Sequence, residues 1–514
     1  MTSMDRRTLL RGGVMLGGAA VLSGGVSRAF AAPGLVRARP AVTHGVQAGD
    51  VTASTGVVWA RADRPARMLV ELSTTESFRH SWHVPGPVVT PDSDLTGRVH
   101  LRGLPAGERI FYRVSFAADS GAVGAPVTGS FGTVSRHPRD LRFLWSGDLA
   151  GQGWGINPDF GGYRIFDAMR ARQPDFFLCS GDTVYADGPI PATVALPDGG
   201  TWRNLVTEEK SKVAETLAEY RGQYKYNLTD QPLRRFAAAV PQINQWDDHE
   251  VRNNWYPGQV IDDPRYTETR LDVLAARGRR AFGEYVPIGT VHADGSGRIY
   301  RRFSYGPLLD LFVLDMRTYK DPNTPGLETQ RDGGILGAEQ TAWLRRELAA
   351  SRATWKVIAN DLPLGIVVPD GTNIEAVAQG DPGAPKGREL ELSDVLSSIR
   401  RHRVRNTVWI TADVHYTAAL RYDPDRAVFT DFDPFWEFVS GPLNAGAFGP
   451  NALDPTFGPE QVFAKTPPAP NSGPASGYQF FGEVNIDAGT RALSVTLRDL
   501  TGAALFETRL APRH

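Results

Sequence analysis

Four short apolar segments of this sequence are each followed at once by acidic residues. In α/β proteins the carboxyl ends of strands converge, and functional sites assemble there. One Gly-Asp after a strand is commonly a turn or a helix cap, but four such clusters are hard to explain by turn chemistry. Converging carboxylate, imidazole and amide groups are what a multinuclear metal centre requires. The clusters are Gly147-Asp148 after Leu141–Ser146, Gly181-Asp182-Thr183-Val184-Tyr185 after Phe176–Ser180, Asp247-Asp248-His249-Glu250 after 243–246, and Asp413-Val414-His415 after 408–411.

Strands and helices must position these clusters, and from Leu141 onward the sequence alternates between the two. Short apolar runs with the character of buried strands are separated by helical segments, which is typical of an α/β domain. The Pro-, Gly- and Ala-rich segment 450–477 predicts a long loop. The predicted strands are 141–146, 175–180, 308–314, 355–359, 407–411, 480–487 and 492–499, and the predicted helices are 164–172, 208–221, 269–285, 339–350 and 390–402.

The segment before Leu141 has a different pattern. Residues 42–133 read as short alternating strands separated by Gly and Pro, as in Gly103-Leu104-Pro105, and this spacing predicts a small β-sandwich. Ser135-Arg136-His137-Pro138 has the composition of a linker. We therefore expect two structural domains, at 40–135 and 140–514.

Residues 1–31 have the pattern of an export signal. Arg6-Arg7 precede Leu9-Leu10, an apolar glycine-rich run follows, and Ala29-Phe30-Ala31 offers a small-residue cleavage site. Paired arginines fit a twin-arginine signal, whereas the alternative of a membrane anchor would need a longer apolar run with less glycine. We expect export through the twin-arginine translocase, no stable membrane anchor, and a secreted or periplasmic (extracytoplasmic) protein.

Composition excludes several classes of function. The 514 residues include 56 Lys and Arg against 57 Asp and Glu, so the formal charge is −1. This balance argues against a general binder of nucleic acids or membrane surfaces, which needs a basic footprint, and we expect no specific nucleic-acid partner. The single cysteine, Cys179, excludes an intramolecular disulfide and a thiolate-rich metal site, and its apolar surroundings predict a core position.

The motifs resemble those of the alkaline phosphatase D family of metallophosphoesterases, and the resemblance covers nearly the whole mature chain. It implies a four-layer α-β-β-α sandwich of the α/β class preceded by an N-terminal β-sandwich. It also implies phosphoesterase activity and a centre that holds Fe(III) and Ca(II). The motifs that carry it are Ser180-Gly181-Asp182-Thr183-Val184-Tyr185, similar to Gly-Asp-x-x-Tyr; Trp246-Asp247-Asp248-His249-Glu250, similar to Trp-Asp-Asp-His-Glu; Leu314-Asp315-Met316-Arg317, similar to Leu-Asp-x-Arg; and Ala412-Asp413-Val414-His415, similar to Gly-Asp-Val-His.

The sequence departs from that family at one metal ligand. The family usually has a cysteine ligand to iron after the first catalytic strand, where this chain has Asp148. A carboxylate in place of a thiolate favours oxygen-loving ions, although the phenolate of Tyr185 remains a good ligand for Fe(III). Broader calcineurin-like enzymes begin with Asp-x-His, and Ala150 stands where that histidine would be.

Chemistry and the resemblance together suggest a role for each side chain. Asp182 is the candidate bridging carboxylate between two metals. By analogy with the superfamily, His249 is the candidate general acid for the leaving oxygen. Asp148 and Tyr185 would bind one metal and Asp248 a second, with Asp413 and His415 completing the set.

Several flanking residues keep two interpretations. Arg317, or alternatively Arg252, could hold a phosphate oxygen, whereas Arg317 could instead pair with Asp315 or Glu250 as part of the structure. Asp247 could contact substrate or orient a neighbour. For Glu250 we favour a role in orienting the ligands over a role as a ligand. Asn253 and Asn254 could be ligands or cap the next turn.

The sequence thus predicts a secreted metal-dependent phosphoesterase that acts on small-molecule phosphate monoesters, diesters or both. Metal ions would activate the attacking water or hydroxide. The segments 322–334 and 368–386 are candidates for shaping access to the site. The alternative is a non-catalytic secreted protein that keeps the fold and binds phosphate or metal.

Overall fold

A computed structural model of the chain describes residues 39–289, 297–330 and 333–513. The predicted export signal at 1–31 lies outside these residues. Six α-helices are present in this part of the chain, and all are too short or too polar to traverse a bilayer. The helices are α1 (Ile165–Ala171), α2 (Leu217–Asn227), α3 (Gln231–Ala239), α4 (Leu271–Tyr285), α5 (Gly337–Ala350) and α6 (Glu389–Arg401).

Most of the described elements are strands. They are β1 (Val42–Gly49), β2 (Thr55–Ala62), β3 (Ala66–Ser73), β4 (Trp82–Val89), β5 (Thr96–Arg102), β6 (Arg109–Ala117), β7 (Val127–Gly132), β8 (Leu141–Ser146), β9 (Phe176–Ser180), β10 (Thr193–Ala195), β11 (Thr201–Arg203), β12 (Gln242–Gln245), β13 (Arg301–Tyr305), β14 (Leu309–Val313), β15 (Trp355–Ala359), β16 (Pro369–Asp370), β17 (Asn373–Ile374), β18 (Thr407–Thr411), β19 (Thr417–Tyr422), β20 (Phe435–Val439), β21 (Pro459–Lys465), β22 (Phe480–Ile486), β23 (Leu493–Asp499) and β24 (Ala504–Leu510).

Two large mixed sheets carry the predicted site. The first has nine strands in the order β24-β23-β22-β8-β9-β12-β1-β2-β5, and the second has seven in the order β13-β14-β15-β18-β20-β19-β21. Parallel pairing joins β8, β9 and β12 in the first sheet and β14, β15, β18 and β20 in the second. The apolar runs that the sequence analysis assigned to buried strands therefore form the parallel centre of each sheet.

The two sheets contact each other through one hydrophobic cluster and through polar bridges. Phe143 and Leu178 of the first sheet share this cluster with Val357 and Ile410 of the second. The buried Gln245 amide at the end of β12 donates to the carbonyls of Leu314, at 3.1 Å, and Ala359, at 2.9 Å. The Trp145 indole of β8 donates to the Thr411 carbonyl of β18 at 3.1 Å. These bonds hold the carboxyl ends of the two parallel segments side by side.

The N-terminal region is β-sandwich-like, but one of its sheets continues into the first large sheet. A four-stranded sheet in the order β4-β3-β6-β7 shares a hydrophobic cluster with β1, β2 and β5. Strand β1 also pairs in parallel with β12 at Gly49 and Gln242. The buried Asp50 carboxylate just after β1 accepts from Arg301 of β13 at 2.8 Å. The sandwich-like region is thus bonded to both large sheets.

Most predicted elements are confirmed to within two residues, and three expectations are wrong. The helix predicted at 208–221 begins only at Leu217, because Thr216 and Glu219 form a capping box there, and it continues to Asn227. The loop predicted at 450–477 contains β21, which pairs with β19 at the edge of the second sheet. A third terminal strand, β24, follows the two that were predicted. These two strands are half-exposed edge strands, so a hydrophobic run does not mark them. Strands β13, β19 and β20 were not predicted either, although β19 and β20 are largely buried.

A buried ion cluster on β22 gives a test of this arrangement. The Glu483 carboxylate is 1% exposed and accepts from Arg172 after α1 at 2.6 Å and from Arg498 of β23 at 2.9 Å. Burial alone would raise the pKa of Glu483, but hydrogen bonds from Arg172, Asn485 and Arg498 outweigh burial and lower the pKa to about 2. Since the pKa lies below its ordinary value of 4.5, the ionised carboxylate stabilises the fold above that pH and progressively less as the pH falls toward 2.

We therefore expect Glu483→Gln to lower the free energy of unfolding by about 3 kcal/mol at neutral pH, because it leaves buried cations unpaired. The loss should shrink at pH values near 3, because the carboxyl of the unfolded chain, with its ordinary pKa of 4.5, is protonated there and the wild type loses most of this stabilisation. Denaturant unfolding at the two pH values measures this. The matched control is Glu507→Gln on the exposed face of β24, with little effect at either pH. An equal loss at both pH values for Glu483→Gln would contradict the electrostatic account.

Candidate metal centre

The sheet arrangement brings all four predicted acidic clusters to one place. Asp148 follows β8, Asp182 follows β9, and both are buried at the carboxyl ends of adjacent parallel strands. Asp413 and His415 follow β18 of the second sheet. All four residues have positive φ, of 66°, 49°, 62° and 59° in that order. Such backbone is costly for residues other than glycine and concentrates at functional sites.

The turn after β9 also requires a glycine. Gly181 has a φ of 100°, and a Cβ atom there would lie 2.4 Å from the Cβ of Asp247. The turns after β9 and β12 therefore pack directly on each other. The Glu250 carboxylate ties them together by accepting from the backbone N–H groups of Asp182 at 3.2 Å, Thr183 at 2.7 Å and Asp247 at 2.8 Å. Glu250 thus orients its neighbours, which is the role that the sequence analysis favoured for it.

Two groups of side chains could each hold a metal ion, and Asp182 belongs to both. In the first group, ligand atoms of Asp148, Asp182 and His415 lie within 4.8 Å of one another. In the second group the same is true of Asp182, Asp248 and His249. A carboxylate shared between two sets of ligands matches the bridging role predicted for Asp182. His249, which we predicted as a general acid, is also close enough to be a ligand.

Tyr185 lies between the two histidines. Its hydroxyl is 2.8 Å from His415 Nε2, and its ring stacks on His249 with ring centroids 4.0 Å apart. The Nδ1 atom of His415 donates to the Gly446 carbonyl at 2.5 Å, so Nε2 carries the lone pair on the side of Tyr185 and Asp148. Burial lowers the pKa of His415 to about 4. A neutral imidazole held in this way has the form that binds a metal.

The donor set fits cations because its negative charge is not balanced by the chain. Asp148 Oδ2, Asp247 Oδ2 and Asp413 Oδ2 are buried without a hydrogen-bond partner. Burial, followed by repulsion from Asp247, raises the pKa values of Asp148 and Asp413 well above their ordinary range. Burial, followed by repulsion from Asp248, does the same for Asp182. Unpartnered buried carboxylate oxygens are costly unless a cation neutralises them.

Arg317 provides positive charge beside these carboxylates. Its side chain is 0% exposed, its Nε donates to Asp247, and its Nη1 donates to Glu375. The remaining nitrogen, Nη2, has no hydrogen-bond partner and lies 3.8 Å from both Asp248 Oδ1 and Asp413 Oδ1. The salt-bridge partners of Arg317 are therefore not Asp315 or Glu250. Asp315 bonds the backbone N–H of Arg317, at 3.2 Å, and not its guanidinium group.

The other flanking residues divide into two sets. The backbone N–H of Asn254 donates to Asp248 Oδ2 at 2.5 Å, and that of Asn253 donates to Asp187 Oδ2 at 2.8 Å, so both position carboxylates. The Arg252 guanidinium points to Asp263, 3.9 Å away, and lies over the Tyr266 ring. The structure thus does not bring Arg252 together with the candidate ligands.

The hairpin of β16 and β17 contacts the site through Asp370. Its Oδ1 accepts from the Asn254 side chain at 3.0 Å and its Oδ2 from the Asn323 side chain at 2.7 Å. Asn323 also donates to the backbone carbonyl of Asn254 at 3.0 Å. Described residues of both segments expected to shape access therefore border the candidate ligands.

Sequence reasoning missed four buried charged residues near the centre. Asp187 accepts from His249 Nδ1 at 2.6 Å, and Asp361 accepts from the Met316 backbone N–H at 3.0 Å. Asp361 directly follows Asn360 at the end of β15, so the strand-end rule could have found it. Asp187 lies two residues beyond the Tyr185 motif. Glu375 has no local signal, because only the tertiary structure brings it to Arg317 and to Lys320, whose Nζ lies 3.8 Å from its carboxylate. Lys320 follows Arg317 by three residues, so its position beside the Leu-Asp-x-Arg motif could have drawn attention to it.

A family model described as PhoD-like phosphatase matches residues 143–497, and one for the N-terminal domain of PhoD-like phosphatases matches residues 28–135. The chain belongs to the PhoD-like phosphatase family. The resemblance inferred from the motifs is thereby confirmed. Alkaline phosphatase D of Bacillus subtilis (strain 168) is 25% identical to this chain over 495 residues, covering 90% of this chain and 80% of the relative.

Solved structures show the same fold. The structure of PhoD matches with a TM-score of 0.68 and 20% identity, covering 91% of this chain and 88% of the other. Purple acid phosphatase PPD1 from yellow lupin (Lupinus luteus) seeds matches with a TM-score of 0.56 and 11% identity, covering 92% and 74%. The PhoD-like phosphatase thus shares its mixed-sheet architecture with both proteins.

If Asp182 is shared by two metal sites, Asp182→Asn should weaken metal binding in both groups, because it removes one formal negative charge from each. We expect a loss of affinity of at least about tenfold for both ions. Elemental analysis after dialysis against a weak chelator measures this. The control is Asp310→Asn, a buried aspartate on β14 that is ion-paired with Arg302 and should leave the metal content unchanged. A variant at Asp182 that keeps its full metal content would show that the site is elsewhere.

Proposed function

We propose that this PhoD-like phosphatase is an exported, metal-dependent phosphoesterase that hydrolyses small-molecule phosphate monoesters, diesters or both. The observation that carries the proposal is the pair of ligand groups that share Asp182. Family membership supports the reaction class, since the curated relative is named an alkaline phosphatase. A protein that only kept the fold would have no need to maintain unbalanced negative charge in its interior, because such charge lowers stability.

The residues present fit a multinuclear centre of oxygen-loving ions. Asp148, Asp182, Tyr185 and His415 would hold one ion, and a phenolate among oxygen ligands suits Fe(III). Asp248 and Asp413, each 3.8 Å from Arg317 Nη2, offer carboxylate oxygens that suit Ca(II). Bound cations would neutralise phosphate oxygens and lower the pKa of water. Asp148 takes the place of the usual cysteine, so this iron site would have a carboxylate where other family members have a thiolate, and it would prefer oxygen-loving ions more strongly.

The chain's own residues supply orientation and a proton. Asp187 fixes the ring of His249 by accepting from Nδ1. Burial would lower the pKa of His249, but the carboxylates of Asp187 and Asp248 outweigh it and raise the pKa to about 9. His249 therefore carries a proton on Nε2 at neutral pH and can deliver it to a leaving oxygen. Arg317, fixed by Asp247 and Glu375, keeps Nη2 available for a phosphate oxygen.

We also infer the finer architecture and the route of export. Helices α5 and α6 contribute Trp343, Leu344, Val395 and Leu396 to a cluster with strands of the second sheet, which supports a four-layer α-β-β-α catalytic domain at 140–514. The β-sandwich would occupy 40–135. Residues 1–31 would direct export through the twin-arginine translocase, which suits a protein that acquires its metal before export. Mass determination of the mature protein tests cleavage near residue 31.

Hydrolysis assays test the proposed function directly. We expect the metal-loaded protein to hydrolyse an aryl phosphomonoester, an aryl phosphodiester or both, and a chelator to abolish this activity until metal is restored. The control is Asp182→Asn, which should be inactive in every condition. No turnover of either substrate by metal-loaded protein would favour the alternative, a non-catalytic protein that binds phosphate or metal. Elemental analysis of the same sample would show whether iron is present beside Asp148.

The role of His249 predicts a dependence on the leaving group. A good leaving group such as nitrophenolate departs without a proton, whereas an alkoxide needs one. We expect His249→Gln to lower kcat by about 100-fold for an alkyl phosphate and by far less for a nitrophenyl phosphate. Steady-state kinetics with the two esters, together with metal analysis of the variant, measure this. Equal losses for both esters would contradict a role as general acid and favour His249 as a metal ligand.

A further inference from the structure

A cationic groove lies at the end of the second sheet opposite to the candidate metal centre. The groove has a volume of about 350 Å³ and is lined by residues around the amino ends of β15 and β18. Asp361 and Asp413 lie beyond the carboxyl ends of the same two strands. Since five residues of strand rise about 17 Å, the groove and the centre are separated by at least that distance along the strands.

Five arginines from separate parts of the chain line this groove, which we call the arginine groove. All five are exposed, and among the described residues that line the groove none is Asp or Glu. None of the five guanidinium groups forms a salt bridge within the described parts of the chain. The buried Lys356 adds a sixth cation to the lining. The arginines are Arg352, Arg403, Arg405, Arg491 and Arg513.

The preference of cations for helix C-termini explains only two of the five arginines. Arg352 and Arg403 closely follow the ends of α5 and α6, where cations are favoured by the helix dipole. Arg405 precedes β18, Arg491 lies in the turn between β22 and β23, and Arg513 follows β24, so none of these three closes a helix. Five unpaired guanidinium groups in one concavity repel one another unless an anion lies between them. In a chain with a formal charge of −1, this is a local concentration of positive charge.

The lining chemistry selects the class of anion. Guanidinium groups match phosphate oxygens through paired hydrogen bonds. The apolar part of the lining is aliphatic (Leu348, Ala349, Ala353, Val404 and Pro512). The imidazole of His402 is the single aromatic ring among the described lining residues, whereas a strand that carries bases is held by a series of such rings. A concave surface without exposed large apolar side chains is also poorly shaped for the plane of a membrane. The fitting ligand is therefore a thin phosphate chain without bases.

The groove has room for more than one phosphate group. A second groove of about 260 Å³ adjoins it, shares Arg405, Asn406 and Arg513, and adds Arg421 and Arg509. This extension is less cationic, because Asp433 lines it and Arg421 pairs with Asp423 at 3.0 Å. Three aromatic residues also line it, of which Trp355 and Phe435 are buried, at 2% and 3% exposure, and Trp436 is half-buried. The highest positive charge therefore stays in the arginine groove, and a linear ligand can continue past Arg405 and Arg513.

We propose that the arginine groove is an attachment site for a linear polyphosphate chain. The ligand is held by charge-assisted hydrogen bonds from the five guanidinium groups and continues along the neighbouring groove. Because the candidate metal ligands lie at the other end of the strands, the groove would hold the chain as an anchor and not as the substrate. The inference does not depend on catalysis at the metal centre.

Binding of a fluorescently labelled long-chain inorganic polyphosphate to the metal-loaded full chain tests this. We expect Arg403→Glu/Arg405→Glu to weaken binding at least about tenfold and to reduce the slope of log Kd against log salt by about 2, one for each lost phosphate contact. The matched control is Arg67→Glu/Arg102→Glu, which changes the net charge equally at exposed positions on β3 and β5 and should bind within twofold of the wild type. If the charge reversal unfolds the chain, Arg403→Gln/Arg405→Gln serves instead, with a smaller loss in the same direction.

Two further arms separate this site from the metal centre and from other partners. Asp182→Asn and an excess of orthophosphate should leave polyphosphate binding intact, and Arg403→Glu/Arg405→Glu should leave turnover of a soluble aryl phosphate intact. Loss of binding in Asp182→Asn would place the probe at the metal centre and overturn the proposal. Tighter binding of a single-stranded oligonucleotide or of phosphatidylglycerol vesicles than of polyphosphate, or equal losses in the control variant, would overturn it as well.

Discussion

The candidate site depends on an excess of buried negative charge. Its buried carboxylates outnumber the cationic side chains that contact them. Asp148, Asp182 and Asp413 are placed on three strand ends, and Asp247 and Asp248 on a fourth. Arg317 and His249 contact part of this set, yet three carboxylate oxygens remain without a hydrogen-bond partner. In a low-dielectric interior such charge is tolerated only with counter-ions. The same feature that lowers the stability of the fold therefore gives the site affinity for cations.

Such a concentration of charge requires a rigid frame, which the two sheets supply. Gln245 bridges β12 to the ends of β14 and β15, and Trp145 bridges β8 to β18. Glu250 ties the turn after β9 to the turn after β12. These bonds lie at the ends of strands whose central residues pack in the core. The carboxylates therefore stay in place although they repel one another. The left-handed backbone of Asp148, Asp182, Asp413 and His415 is held in the same way.

The sequence was most informative where local pattern and chemistry coincide. Strands such as Trp355–Ala359 and Thr407–Thr411 are predicted exactly, since apolar runs form the parallel centre of the sheets. Eight of the predicted site residues follow such strands and converge in space. Edge strand β21 was missed because its residues are partly exposed to solvent and because its hydrogen bonds are made to β19, which is distant in sequence. Glu375 was missed for a related reason, since nothing near it in sequence indicates that it meets Arg317.

The net charge of the chain does not show how charge is distributed over the structure. A formal charge of −1 argued against a basic footprint, but it averages an acidic centre at one end of the second sheet and five exposed arginines at the other. Net charge limits only long-range attraction, whereas local charge determines what each surface binds. A metal-dependent site and an anion-binding groove can therefore coexist in a nearly neutral protein.

Anomalous X-ray diffraction from crystals of the metal-loaded protein tests the central claim most directly. The account predicts at least two anomalous peaks, one among Asp148, Asp182 and His415 and one beside Asp182 and Asp248, with Asp182 in contact with both. An active protein whose crystals show no metal at these carboxylates, or a single ion that Asp182 does not touch, would contradict it.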